Sequence, residues 1–77
     1  MKIQILIFGQ LADVVGRNQI ETECADDTDA LKKNLFLDFP ELKNQPFVLS
    51  VDRKIVKHNQ KINPEAEVAL LPPFAGG

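Results

Sequence analysis

The residues with the clearest chemical potential close the chain: Leu70-Leu71-Pro72-Pro73-Phe74-Ala75-Gly76-Gly77. A Gly-Gly end presents an α-carboxylate on a stalk without side chains, and glycine, lacking Cβ, lets backbone approach a ligand closely. An α-carboxyl group has an ordinary pKa of roughly 3.3–3.7, so it is ionised near neutral pH and is a poor electrophile. To accept a nucleophile it must first be activated, most simply as an acyl-adenylate inside a partner's nucleotide site. If the C-terminus is the reacting group, Gly77 bears it at the end of this thin stalk. Pro72 and Pro73 restrict φ and favour an extended path. Six extended residues span at most roughly 20 Å, enough to reach a buried site from a docked body. Ordering flexible backbone costs about 1–2 kcal/mol per residue, so a pre-extended stalk lowers the cost of insertion. Phe74 is the tail's one large side chain and suits an anchor in a partner groove, with Ala75 beside it. The plain alternative is a frayed terminus, where disorder concentrates.

Other reactive side chains have simpler explanations. Cys24 is the sole cysteine, so an intrachain disulfide is impossible. A persulfide role is open to it, but its alternation with Ile20 and Thr22 points to a small apolar residue on the inner face of a strand. His58 lies in the polar run Lys57-His58-Asn59-Gln60-Lys61, which reads as a solvated loop. Asp26-Asp27 fits the start of a helix. No phosphate loop, zinc spacing or Ser/His/Asp motif is present. The chain is expected to catalyse nothing alone and to bind no metal.

The elements that must carry the tail are legible in the patterning. Seventy-seven residues make one small domain of modest stability. A net charge of −2 and the lack of a basic cluster argue against a nucleic-acid partner. No stretch is long enough to span a membrane and no secretory cleavage pattern follows the first apolar run, so the cytoplasm is the expected compartment. Lys2–Phe8 reads as a strand, apolar on both faces from Leu6 onward and hence expected to be buried on both sides. Leu11–Val15 is a short helix ended by Gly16. Gln19–Cys24 alternates as a half-exposed strand. Thr28 is the expected N-cap of a helix with Asp29 in its first turn. Leu31, Leu35 and Phe39 form its apolar face, and Pro40 stops it. Phe47–Val51, Lys54–Val56 and Glu67–Leu71 read as strands, with turns at Asp52-Arg53 and Asn63-Pro64. The result is an α+β fold: residues 1–71 form a domain of about four to five strands and one main helix, and residues 72–77 form an extended tail. Exposed apolar residues on the sheet, expected among Phe47, Leu49 and Leu71, are candidates for a docking patch.

With this pattern and the tail together, the chain resembles the ubiquitin-like β-grasp sulfur carriers, and among them the small subunits of molybdopterin synthase. Ile5-Leu6-Ile7-Phe8-Gly9-Gln10-Leu11 followed by Val15-Gly16 is similar to the opening strand and helix, and Thr28-Asp29-Ala30-Leu31 to the helix start. Glu67 through Gly77 is similar to the closing motif, and its proline pair is the specific part, since carriers for thiamine synthesis usually lack it. The chain departs from the pattern at Ala12-Asp13, at Asp52 and at Asn63-Pro64-Glu65-Ala66. The resemblance implies a β-grasp fold with a mixed sheet. It also implies that an activating enzyme uses ATP to adenylate Gly77 and that a sulfur donor, such as a cysteine desulfurase or rhodanese, converts the adenylate to a thiocarboxylate. The tail, Pro72 to Gly76, would then enter the large catalytic subunit of the synthase and deliver sulfur to a cyclic pyranopterin precursor, building the molybdopterin dithiolene. Two large and two small subunits are implied, with no cofactor bound by this chain. The alternatives are a ubiquitin-like modifier that forms isopeptide bonds, a carrier for thiamine, cysteine or tRNA thiolation, and a small binding domain with an incidental tail.

Overall fold

The computed structural model describes residues 1–73. The elements run β1 (Lys2–Ile7), α1 (Gln10–Val15), β2 (Gln19–Glu23), α2 (Thr28–Asp38), a 3₁₀ helix (Pro40–Asn44), β3 (Val48–Val51), β4 (Lys54–Ile55) and β5 (Val68–Leu71). The five strands form one mixed sheet in the order β2-β1-β5-β3-β4. β1 and β5 are parallel, with Ile5 opposite Val68 and Ile7 opposite Leu70, and the other three pairings are antiparallel. The first and last strands thus lie side by side in the middle, with α2 packed across one face. This is the β-grasp arrangement.

Alternation decides which side chains meet the helix. Ile3, Ile5 and Ile7 of β1, Ile20 of β2, Leu49 and Val51 of β3 and Val68 and Leu70 of β5 are buried together with Leu31 and Leu35 of α2. Completely burying a leucine side chain contributes about 1.5–3 kcal/mol, so the two helix leucines, both at 0% exposure, are the main weld between the layers. Among the described residues no helix covers the sheet's other face. Leu6 is only half-buried and Phe8 is 47% exposed, so the expectation that β1 is buried on both sides is corrected.

The helix start also differs by one residue from expectation. Asp27, not Thr28, is the N-cap of α2: its backbone is extended and its carboxylate accepts from the Ala30 N–H at 2.9 Å. Thr28 is instead buried at 1% exposure, where its hydroxyl donates to Asn59 Oδ1 and accepts from the Gln60 N–H. Phe39 caps the C-terminus of α2 and is half-buried. α2 stops before Pro40 as expected, and a 3₁₀ helix begins at that residue, since proline fits the first turn of a helix, where its missing N–H costs nothing. It delivers Leu42 to the core at 0% exposure. The turns at Asp52-Arg53 and Asn63-Pro64 are present, the second closed by a bond from the Ala66 N–H to the Asn63 carbonyl at 2.9 Å. Among the described residues no helix is long and apolar enough to cross a membrane.

Candidate functional site at the tail root

β5 feeds directly into the closing segment and holds its start rigidly. As the central strand it is bonded on both edges: the Phe8 N–H donates to the Leu70 carbonyl at 3.1 Å on one side, and Leu71 is registered against Val48 on the other. Pro72 follows at once. It has no N–H to continue a ladder, so the sheet ends there by chemistry. Pro72 is half-buried and Pro73 exposed.

What receives Pro72 is Gly9, in the turn between β1 and α1. Gly9 has φ 64° and ψ −147°, a backbone region that only glycine enters freely. A Cβ built on Gly9 would lie 2.6 Å from Pro72 Cγ and 3.3 Å from Cδ, so the missing side chain is the space the proline ring occupies.

Beside this root lies an apolar strip on the face that no helix covers. The registers place Leu6 opposite Ala69, Ala69 opposite Ser50, Leu71 opposite Val48 and Ser50 opposite Ile55, so all of them share that face. Phe8 continues the alternation of Gln4 and Leu6. Ser50 and Ala69 are small and sink to 6% and 7% exposure among their larger neighbours, whereas Phe8 and Ile55 are both 47% exposed. Toward β2 the face turns polar, with Gln19 Nε2 donating to Gln4 Oε1 at 2.7 Å.

Of the expected site residues, Pro72 and Pro73 stand at this root, while Phe74, Ala75, Gly76 and Gly77 lie outside the described residues. The expected docking patch is corrected. Leu49 is 2% exposed and faces α2, and the Phe47 ring packs edge-on against Phe36 with centroids 6.0 Å apart, so Leu71 alone of the three belongs to the open strip. Leu6, Phe8, Val48 and Ile55 were available from the period-two pattern, but nothing in the sequence shows which face the helix leaves bare. The role of Gly9 carried no sequence signal beyond a glycine after a strand.

The remaining candidates stay apart from the root. Cys24 sits one residue past β2, half-buried against the core, with its thiol 3.6 Å from the Ala25 carbonyl. His58 is exposed in the loop. Among the described residues no three His, Cys, Asp or Glu side chains gather where a metal ion could be held. The carboxyl group of Glu23 is held below its ordinary range by a hydrogen bond and charge attraction from the Met1 ammonium, 2.9 Å away, with Lys2 adding to the attraction. That pair ties the first residue to β2 and supplies no acid or base near the tail. The described residues therefore hold the root of the tail beside an apolar sheet face.

Known proteins share this plan. The chain is 24% identical over 83 residues to the molybdopterin synthase sulfur carrier subunit of Caenorhabditis elegans, spanning 100% of this chain and 99% of that protein. The crystal structure of SAMP1 from Haloferax volcanii has the same fold, with a TM-score of 0.77 at 21% identity and complete coverage of both chains. So does a chain in the protein–protein complex of subunits 1 and 2 of molybdopterin-converting factor from Helicobacter pylori 26695, with a TM-score of 0.71, 19% identity and complete coverage of both chains. The sequence model of the ThiS family matches residues 5–77, from the second half of β1 through the central β5 to the closing Gly-Gly, and the chain belongs to this family of small β-grasp sulfur carriers.

Proposed function

We propose that this chain is the sulfur-carrier subunit of a molybdopterin synthase. The observation that carries the reading is the closing motif, Pro72-Pro73-Phe74-Ala75-Gly76-Gly77, issuing without a linker from the central strand of a ThiS-family fold. The match along its whole length to a molybdopterin synthase sulfur carrier subunit supports the same pathway.

In this reading the Gly77 carboxylate attacks the α-phosphate of ATP in an activating enzyme, forming an acyl-adenylate and releasing pyrophosphate. A sulfur donor's cysteine persulfide then attacks the acyl carbon and displaces AMP, giving an acyl disulfide, and a second thiol attacks the donor's cysteine sulfur, forming a disulfide with it and releasing the thiocarboxylate. The large synthase subunit docks on the open sheet face around Leu6, Phe8, Ala69, Leu71 and Ile55 and receives the tail from Pro72 onward. Sulfur passes there to the cyclic pyranopterin precursor. Keeping the sulfur on a protein delivers it to one site instead of releasing it as sulfide. Catalytic side chains belong to the partners, and two large and two small subunits make the assembly.

Intact mass after incubation with the activating enzyme, ATP and a sulfur source tests this, beside a chain lacking Gly77. Replacement of oxygen by sulfur, placed on Gly77 by fragmentation, is expected. Fragmentation matters because oxidation of Met1 or Cys24 has the same nominal mass effect. The loaded chain mixed with the large subunit and the pyranopterin precursor should then form the dithiolene.

A second reading, a protein modifier whose activated Gly77 is attacked by lysine amines, is favoured by the shared fold with SAMP1. Conjugate ladders after activation, with no thiocarboxylate, would decide for it.

A further inference from the structure

The geometry assigns to Gly9 the role of positioning residue for the reactive tail: its bare Cα is the seat against which Pro72 sets the direction in which the chain leaves the sheet. The assignment rests on the functional reading above for its consequence, but on local geometry for its substance.

The turn that holds Gly9 is pinned on both sides. The preceding Phe8 N–H is bonded to the Leu70 carbonyl of β5 at 3.1 Å, and the Gly9 carbonyl accepts from the Ala12 N–H of α1 at 3.1 Å. The Pro72 side is equally constrained, because Leu71 is fixed in the central strand and proline has almost no freedom in φ. Between these two rigid pieces the Pro72 ring fills the place of a side chain, with Cγ 2.6 Å and Cδ 3.3 Å from where a Cβ would stand. Cβ atoms do not approach a ring carbon that closely, so even a methyl group at residue 9 must displace the proline.

The Gly77 carboxylate follows Pro72 by five residues, so the direction in which Pro72 leaves the sheet sets the region that the terminus can reach. Reacting groups misplaced by about 1 Å can lose about a hundredfold in rate. A change at Gly9 therefore acts on the tail at its root, through Pro72.

Two effects of a Gly9→Ala change must be separated: backbone strain at φ 64° and collision with Pro72. Shortening the proline does this, because Gly9→Ala/Pro72→Ala keeps the strain and removes the ring atoms in conflict. The experiment compares the full chain, Gly9→Ala, Pro72→Ala and the double variant in ATP–pyrophosphate exchange with the cognate activating enzyme, alongside urea unfolding. Contacting residues couple strongly enough for the following pattern to be resolved. Gly9→Ala should lower kcat about tenfold or more with KM little changed. Pro72→Ala, which empties the seat, should lower kcat about threefold, and the double variant should match Pro72→Ala. A Gly9→Ala protein with unchanged kcat, or a double variant no better than Gly9→Ala, overturns the assignment. If Gly9→Ala fails to fold, the double variant decides: folding with the kcat of Pro72→Ala upholds the assignment, and failure to fold like Gly9→Ala overturns it. If the unaltered chain is not activated at all, the functional reading fails separately. The seat is then judged by a nuclear Overhauser contact between the Gly9 α-protons and the Pro72 ring, whose presence upholds it and whose absence overturns it.

Discussion

Two neighbouring residues hold backbone conformations that their side chains disfavour. Asp52 and Arg53, with φ 51° and 68°, are the central pair of the two-residue hairpin between β3 and β4, where left-handed geometry matches the strand twist. Such geometry costs roughly 1–2 kcal/mol for an ordinary residue, and glycine or asparagine usually takes the place. Asp52 offsets part of that cost: its carboxylate accepts from the Glu67 N–H at 3.0 Å, while its own N–H donates to the Glu67 carbonyl at 2.7 Å. Arg53 contributes only an exposed ion pair with Glu67 at 3.4 Å. We expect Asp52→Ala to cost about 1–2 kcal/mol in urea unfolding, from the lost bond and the unrelieved strain, and Asp52→Gly to cost less because glycine relieves the strain. The reverse order would remove the strain account. The Glu23 carboxyl, held below the ordinary glutamate value of 4.5 by the Met1 ammonium, gives a pH prediction of definite sign. A group whose pKa falls on folding contributes stability that is fully present above its unfolded pKa and is lost as pH falls through its folded pKa. The contribution of Glu23 should therefore be complete above about pH 4.5 and fade below it, and Glu23→Gln should flatten the urea midpoint in that acid range. Identical profiles for the two proteins between pH 5 and pH 2 would show that the pair contributes nothing to folding.

At the scale of elements, the long segment between β4 and β5 has little secondary structure of its own and is tied to the start of α2. The Thr28 N–H donates to the Gln60 carbonyl at 2.9 Å, Asn59 Oδ1 accepts from both the Asp29 N–H and the Thr28 hydroxyl, and the Ile62 N–H donates to the Asp26 carbonyl. Asn59 thus supplies to this helix terminus an acceptor that a local cap cannot. Asn59→Ala should cost about 1–2 kcal/mol, since it leaves the buried Thr28 hydroxyl without its acceptor, and amide exchange should speed up at both Asp29 and the Gln60–Ile62 segment. Faster exchange at only one of the two would mean that they are not latched. The same cluster explains where sequence reading stopped short. The strands, α2 and the Leu31/Leu35 face follow from period and turn chemistry. The cap slipped by one residue because Asp27 and Thr28 are both good cap residues, and only Asn59 and Gln60, some thirty positions away, bury the threonine. Leu42 escaped because Pro40 ends an α-helix but equally starts a 3₁₀ turn. Gly9 escaped because its partner is Pro72, at the far end of the chain.

For the whole molecule, the decisive asymmetry is that, among the described residues, one sheet face is covered by α2 and the other by no helix. The second face carries Leu6, Phe8, Val48, Leu71 and Ile55 beside the root of the tail, so a partner that seats there is already aligned with whatever leaves Pro72. Nearly half of the surface of Phe8 and Ile55 is in water, which is unfavourable for the lone chain and useful only if a partner removes it. A large synthase subunit is the proposed partner, and a charge placed within such an interface is desolvated without a counter-ion. Ile55→Asp should therefore weaken association with the large subunit about tenfold or more, mainly through faster dissociation, while costing the isolated chain about 1 kcal/mol or less. Leu37 provides the control. It is 78% exposed, but it lies on α2 in the opposite layer, so Leu37→Asp should leave both affinity and stability close to those of the unaltered chain. Equal losses from the two substitutions would mean that exposed apolar surface in general, not this face, drives association. A loss from Leu37→Asp alone would move the docking site to the helix layer, and the alignment of docking face with tail root would then fall with it.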